Sequence, residues 1–190
     1  MAEKDKIKWN NKYKNTPTLL EKREASKKLI NIIKEIKGKK ALEIACGAGR
    51  NSIFLAQNDF EVEALDISDV AIENLKKKNI RNITVKQIDL ENFKPNENSY
   101  DLIVKTNYLD RDIIPNLVKA LKKDGILLVE TYMDHISNEK PPSNPDFLLK
   151  KDELKTFFDE KFEIVEYDEF DNEKNELFKM RKQSISVRKI

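Results

Sequence analysis

A chain of 190 residues holds one domain with a sizeable core and is too short for two ordinary ones, and its 39% hydrophobic and 37% charged residues describe a wet surface over a modest interior. Lys plus Arg number 36 against 34 Asp plus Glu; a net charge of +2 argues against a general polyanion binder, which needs a basic surplus on one face. The single cysteine, Cys46, excludes an internal disulfide framework and any thiolate-cluster zinc site, and no metal is expected.

The opening MAEKDKIKWNNKYKN is polar, with no apolar core for a signal peptide. No later run approaches membrane-spanning length, so a cytoplasmic protein with no membrane attachment is expected. TPTLLEKREASKKLINIIKEIKG (16–38) reads as a helix: Thr18 and Glu21 fit a capping box, and Leu29, Ile32, Ile33 and Ile36 form an apolar stripe. Gly38 ends it. Strand-like and helix-like segments then alternate. KALEIA (40–45) is a strand and RNSIFLAQN a helix; FEVEALDI (60–67) is a strand, and SDVAIENLKKK a helix with Ser68 as N-cap. ITVKQID (83–89) and YDLIVKT (100–106) are strands, and IIPNLVKALKK is a helix with Pro115 in its first turn. GILLVET (125–131) is a strand, KDELKTFFDE a helix, FEIVEYDE (162–169) a sixth strand, and the tail KMRKQSISVRKI a seventh. This alternation predicts a doubly wound α/β sheet, which binds ligands beyond the carboxyl ends of its strands.

Gly47 and Gly49 follow the first strand and open a helix. Glycines there allow a sharp turn and close approach of a ligand to the backbone. A dinucleotide fingerprint would place a third glycine where Ser52 stands, which weakens a nicotinamide-cofactor reading. Glu43, pointing into the crevice, would repel a pyrophosphate and suits a ligand carrying an amine or sulfonium; its other reading is a strand-end solvent residue. Asp66 ends the second strand, where an acid accepts ribose hydroxyls, and Asp89 ends the third, where it can accept from an adenine amino group. Three successive strands ending in carboxylates fit an adenosine that carries a cationic amino acid, S-adenosylmethionine.

ALEIACGAGRNSIFLA, VEALDIS, IDLENF and YDLIVKTNYLDR resemble the successive motifs of class I S-adenosylmethionine-dependent methyltransferases. ACGAGRN with the N-terminal WNNKY is most similar to the small tellurite-resistance and thiol methyltransferase-like group, and ETYMDHIS and NPDFLLKKDELKTFF resemble the C-terminal half of bacterial relatives of that group. The resemblance covers nearly the whole chain. It implies a Rossmann-like, doubly wound, seven-stranded, mostly parallel sheet with a C-terminal antiparallel strand. It implies one domain: an N-terminal cap and helix (1–38), a cofactor-binding core (39–131), and an acceptor lid with C-terminal strands (132–190). It also implies S-adenosylmethionine as cofactor and S-adenosylhomocysteine as product. Glu43 would orient the methionine amine, and the backbone from Ala45 through Gly47 to Gly49 would face the methionine moiety. Asp66 would hold the ribose, Ile67 the adenine face, Asp89 and Leu90 the adenine edge, while Lys105 and Thr106 would border the methyl group. Two positions depart from the family. Ala45 replaces a usual glycine, tolerable if φ stays negative, and Lys12 replaces a usual arginine, losing a bidentate grip on the ligand carboxylate.

Methyl transfer is an in-line displacement, so much of its catalysis comes from alignment, and a base is needed only for a protonated acceptor. Cys46 reads as a small apolar residue packed under the turn. Asp110 can take a proton or cap the next helix; Arg111 can bind an anionic acceptor or cover the helix surface; Tyr108 walls the pocket or joins the core. His135, the only histidine, lies in a long irregular stretch with Pro141, Pro142 and Pro145 that suggests a lid, and is either a general base or a plain loop residue. Trp9 and Tyr13 close the pocket or staple the N-terminus to the core. The expected partner is a small-molecule acceptor such as a thiol or chalcogen oxyanion, on a monomer or homodimer. An RNA or protein methyltransferase is the alternative within the fold, but TNYLDR lacks the paired prolines of a cradle for a flipped base, so nucleic acid is disfavoured. A non-catalytic S-adenosylmethionine-binding module and a nicotinamide-dependent oxidoreductase are the readings from other classes.

Overall fold

The structure, a computed structural model, describes residues 2–173, 176 and 178–190. Its strands are β1 (Lys40–Ile44), β2 (Glu61–Asp66), β3 (Ile83–Gln87), β4 (Tyr100–Thr106), β5 (Leu121–Tyr132), β6 (Phe162–Asp171) and β7 (Arg181–Lys189). They form one sheet in the order β3-β2-β1-β4-β5-β7-β6. β1 to β5 pair in parallel, and β7 runs antiparallel between β5 and β6. This is the expected mostly parallel Rossmann-like sheet with a C-terminal antiparallel strand. The central strands are buried on both faces, so they read as near-continuous apolar runs, whereas the edge strand β6 is interleaved with charge and the edge strand β3 carries Lys86, which discourages further pairing. The chain steps outward from β1 to β3 and returns to β4. The strand order therefore reverses between β1 and β4, and a ligand crevice opens over their carboxyl ends.

The helices are α1 (Ala2–Asn15), α2 (Lys27–Ile32), α3 (Arg50–Gln57), α4 (Asp69–Lys77) and α5 (Ile114–Ala120). On one face of the sheet, Leu29 and Ile32 of α2 and Leu55 of α3 pack on Ala41, Val62, Leu102 and Leu128. On the other, Leu117 of α5 joins Leu42, Ile44, Ile103, Leu127 and Val129. Ser68 caps α4 as expected, accepting from the Ala71 amide. Among the described residues no helix is long and apolar enough to cross a membrane.

Four segments depart from the pattern-based expectations. The polar opening folds as α1, with Glu3 and Asp5 in its first turn and Lys12 and Lys14 in its last, the arrangement the helix dipole favours. The single helix expected over 16–38 is broken into a 3-10 turn (Pro17–Leu20), an extended stretch, α2, and a second 3-10 turn (Ile33–Glu35). The cap is not Thr18 but Ser26, whose hydroxyl accepts from the Lys28 amide. The helix expected to run to Lys123 stops at Ala120, because the amides of Asn98 and Ser99 take the carbonyls of Lys119 and Ala120. KDELKTFFDE forms only a 3-10 turn (Glu153–Phe157): Asp152 is left-handed, and the Leu154 amide bonds to the Gln183 side chain instead of a helical carbonyl.

Candidate functional site

The turn after β1 passes through left-handed backbone three times, at Ala45 (φ 52°), Gly47 (φ 54°) and Gly49 (φ 79°). The Gly47 amide donates to Asp66 Oδ2 at 2.8 Å, and the Ser68 amide to Asp66 Oδ1 at 2.9 Å. One carboxylate thus pins both the glycine turn and the start of α4. Burial pushes the Asp66 carboxyl up, and these amide bonds oppose the shift. The glycines answer to contacts as well as φ. A Cβ on Gly47 would lie 2.7 Å from the Tyr13 hydroxyl, and one on Gly49 2.6 Å from Leu75 Cδ1. Ala45 corrects the sequence reading: its φ is positive, so the side chain sits in a conformation that costs roughly 1–2 kcal/mol for residues other than glycine.

Glu43 is also corrected. It does not open onto the crevice but lies wholly buried beneath the turn. Its Oε1 accepts from Asn51 Nδ2 at 2.9 Å, and its Oε2 from the Ser52 amide at 2.8 Å and from the Ser52 hydroxyl. Burial nevertheless raises the carboxyl to about 7. Ser52, which departs from the third fingerprint glycine, is therefore the donor that Glu43 requires. Asn51 links further, giving a hydrogen bond to Thr106 Oγ1 at 3.1 Å and accepting one from the Ser26 amide at 2.9 Å. Pattern reading missed Asn51, although a polar residue at the start of a buried helix was the signal. Cys46 is buried beside Gly47, and burial pushes its thiol well up, as its packing reading requires.

The other strand ends are less uniform. β3 stops at Gln87, so Asp89 lies beyond it, where Oδ1 accepts from the Glu91 amide at 2.9 Å and closes a turn; Leu90 beside it is buried. Ile67 is half-buried after Asp66, and its carbonyl accepts from Gln87 Nε2. Lys105 is fully buried near the end of β4, donating to the Tyr108 carbonyl at 2.6 Å, and desolvation lowers its ammonium to about 7. The acceptor-side candidates are brought together only in part. Asp110 Oδ1 accepts from the amides of Asp112 and Ile113, and its Oδ2 from the Tyr108 hydroxyl at 3.2 Å, so it closes the turn that leads into α5. Arg111 is a clasp rather than an open anion site: Nε pairs with Glu153 Oε1 at 2.6 Å, and its Nη atoms donate to the carbonyls of Asp146 and Leu148. His135 is exposed, with Nδ1 held by Ser137 two residues on, and shares no hydrogen bond with either among the described residues.

α1 spans the mouth of the crevice. At one side Lys6 pairs with Asp69 at 3.0 Å, and Asn10 accepts from the Ser68 hydroxyl at 2.7 Å; at the other Lys8 lies 5.7 Å from the Phe147 ring centroid. Between them Tyr13 is buried over Gly47, packed against Trp9 at 6.1 Å, and Lys12 Nζ sits 4.6 Å from the Trp9 ring. Lys12 is exposed on α1, and partial desolvation, then Lys8, lowers its ammonium. Trp9 and Tyr13 thus both close the mouth and tie α1 down.

These residues suit an adenosine with an amino-acid tail. Each Asp66 oxygen takes one amide, leaving acceptor capacity for a ribose diol, with Ile67 and Leu90 as apolar neighbours and a side-chain-free Gly47 at the turn.

Comparison with known proteins follows the same line. The family model of the tellurite resistance protein TehB matches residues 1–188. The chain is 30% identical over 152 residues, 74% of its length, to the probable S-adenosyl-L-methionine-dependent methyltransferase TehB of Haemophilus influenzae, and spans 52% of that protein. It thus spans about half the length of the curated relatives it matches. The crystal structure of TehB from Haemophilus influenzae superposes with a TM-score of 0.73 at 26% identity, covering 87% of this chain and 63% of that one. A methyltransferase structure from Methanosarcina mazei, at 17% identity and a TM-score of 0.69, covers 88% and 99% and shares the fold.

Proposed function

The chain belongs to the family of the tellurite resistance protein TehB, and from that premise we propose that it transfers a methyl group from S-adenosylmethionine to a small, soft acceptor, a thiol or a chalcogen oxyanion. The observation that carries this reading is the left-handed Ala45–Gly49 turn fastened to Asp66, which leaves a ribose-binding carboxylate beside side-chain-free backbone. Asp66 holds the ribose, Ile67 and Leu90 flank the adenine with Asp89 at its edge, and the turn faces the methionine moiety. Glu43 acts at one remove, setting the turn through Asn51 and Ser52. Lys12 on α1 is the cation available to the ligand carboxylate. When bound, the cofactor supplies an electrophilic methyl on a sulfonium; the chain's own part is to hold it, exclude water and present the acceptor in line.

The acceptor's size follows from what remains to build its wall. Only α1, the segment after β4 and the stretch 132–149 are left; the five lysines of α1 are interspersed with Glu3 and Asp5, and none of the three segments carries a row of aromatic platforms for a polymer. Calorimetry is the test: S-adenosylmethionine and S-adenosylhomocysteine bind in preference to NAD or ATP. A methylation assay comparing thiols, selenite and tellurite with RNA and cell-extract protein then places the acceptor. Equal affinity for NAD, or labelling of a macromolecule alone, would overturn the reading.

A further inference from the structure

Lys105 is a costly residue in its place. It is fully buried, and its strand neighbours Ile44 and Val129, like Ile103 on its own strand, belong to the apolar cluster on that face of the sheet. Among the described residues it has no carboxylate within ion-pair distance, and its one hydrogen bond goes to the Tyr108 carbonyl at 2.6 Å. An ammonium there has two further N–H groups to satisfy; an amine has one fewer hydrogen and a lone pair. A packing role alone would favour an apolar side chain. Lys105 is the penultimate residue of β4, at the strand end over which the crevice opens. The Tyr108 ring lies 5.4 Å from Nζ, and its phenol is held up by burial and by the charges of Asp110, of Asp89 beyond β3 and of Asp5 on α1.

We propose, building on the methyl-transfer reading above, that Lys105 is the general base of the reaction, taking the proton from an acceptor whose nucleophilic atom arrives protonated, a thiol above all. The acceptor sulfur forms the new bond to the methyl carbon as the carbon–sulfonium bond breaks, its electrons returning to the donor sulfur. The thiol proton passes to the Nζ lone pair, giving an ammonium, and the S–H electrons remain on the acceptor as a lone pair of the product thioether. Burial brings the group to about 7, near the working range of an efficient base. Asp110 opposes that drop and steadies the ammonium once formed, while Arg111 adds to it. Glu43 titrates in the same range but from the opposite face of the sheet, where it pairs in register with Val104.

Two measurements test this. With 2-mercaptoethanol, Lys105→Met and Lys105→Arg should each lower turnover about a hundredfold or more, since neither methionine nor an ever-protonated guanidinium accepts the proton. With selenite, whose selenium lone pair carries no proton, Lys105→Met should stay within a few-fold of wild type. Equal losses on the two acceptors, or an unchanged thiol rate, would overturn the proposal. The second needs no acceptor and begins with the wild type. The ratio of S-adenosylmethionine to S-adenosylhomocysteine affinity should rise with pH through neutrality, because the sulfonium cation is disfavoured beside an ammonium and tolerated beside an amine. It should be flat in Lys105→Met. A slope that persists in the variant belongs to Glu43 and sinks the assignment, as does no slope in the wild type. Failure of both nucleosides to bind would instead remove the proposed function itself.

Discussion

On the β1–β2 side of the crevice, polar groups are matched over short range: Asp66 with the amides of Gly47 and Ser68, Glu43 with Asn51 and Ser52, Ser68 with Ala71 and Asn10. On the β4–β5 side the charged residues serve the scaffold instead. Asp110 closes the turn before α5, Arg111 clasps a segment some 35 residues onward, and His135 bonds within its own loop, while Lys105 is buried with a single partner among the described residues. A ligand site that must bind one invariant molecule can be built from rigid, mutually satisfied groups. A site for the variable partner keeps its reactive group under-satisfied, and stability bears the cost.

The largest expected effect separates the two walls by pH. Glu43, raised from 4.5 to about 7, binds a proton in the folded chain that the unfolded chain releases, so its contribution is present at acid pH and is lost as pH rises through about 7. Lys105, lowered from 10.5 to about 7, binds fewer protons folded than unfolded, so stability is regained as pH rises above about 7. A stability minimum near neutrality follows, with limbs of about 3 and about 5 kcal/mol at most, since each tenfold change in proton affinity is worth about 1.36 kcal/mol. Asp66, also raised, adds to the acid limb. Denaturant unfolding across pH should show the acid limb flattened in Glu43→Gln and the alkaline one in Lys105→Met, the latter more stable than wild type at neutral pH. A monotonic profile would erase the contrast.

Asp66→Ala should weaken S-adenosylmethionine binding roughly ten- to hundredfold, from charged hydrogen bonds worth about 1.5–3 kcal/mol, as calorimetry reads it. It should also lower stability by about 2 kcal/mol, because two buried amides lose their acceptor. An unchanged dissociation constant would place the ribose elsewhere. Arg111→Ala should cost about 1–3 kcal/mol and speed amide exchange at Phe147 and Leu148 while leaving cofactor affinity unchanged; loss of cofactor binding would show that the walls are coupled. The smallest change is Ala45→Gly. Relief of the left-handed strain, partly offset by a freer unfolded chain, should raise stability by about 0.5–1 kcal/mol in a thermal melt.

The same contrast explains what could be read from the chain. The seven strands, the switch point and the glycine turn were legible because each rests on local periodicity or on the special backbone of a few adjacent residues. Ser68 as a cap was legible for the same reason. Glu43 was placed at the correct strand end but aimed wrongly, because its orientation is set by Asn51 and Ser52 on the next helix, not by its own strand. Arg111 could not be resolved from NYLDR alone, since its partners Asp146, Leu148 and Glu153 become neighbours only when the stretch after β5 folds back. The N-terminal segment read only as a polar start, with no element assigned, because its helix depends on one docked stripe, Trp9 and Tyr13, rather than on a repeated apolar period.

The insertion of β7 between β5 and β6 has a consequence for how the chain reaches its shape. β6 has one sheet neighbour, β7, and β5 gains its second only when β7 arrives. A growing chain can therefore assemble β1 to β5, but holds an unpaired apolar edge at β5 and a stranded β6 until Arg181–Lys189 emerges. Lys182 then delivers its ammonium to the otherwise buried Glu130 carboxylate at 3.1 Å, neutralising a charge the half-built sheet could not enclose. β7 thus completes the sheet on both of its sides at once, and its pairing covers the β5 edge that would otherwise be open to aggregation.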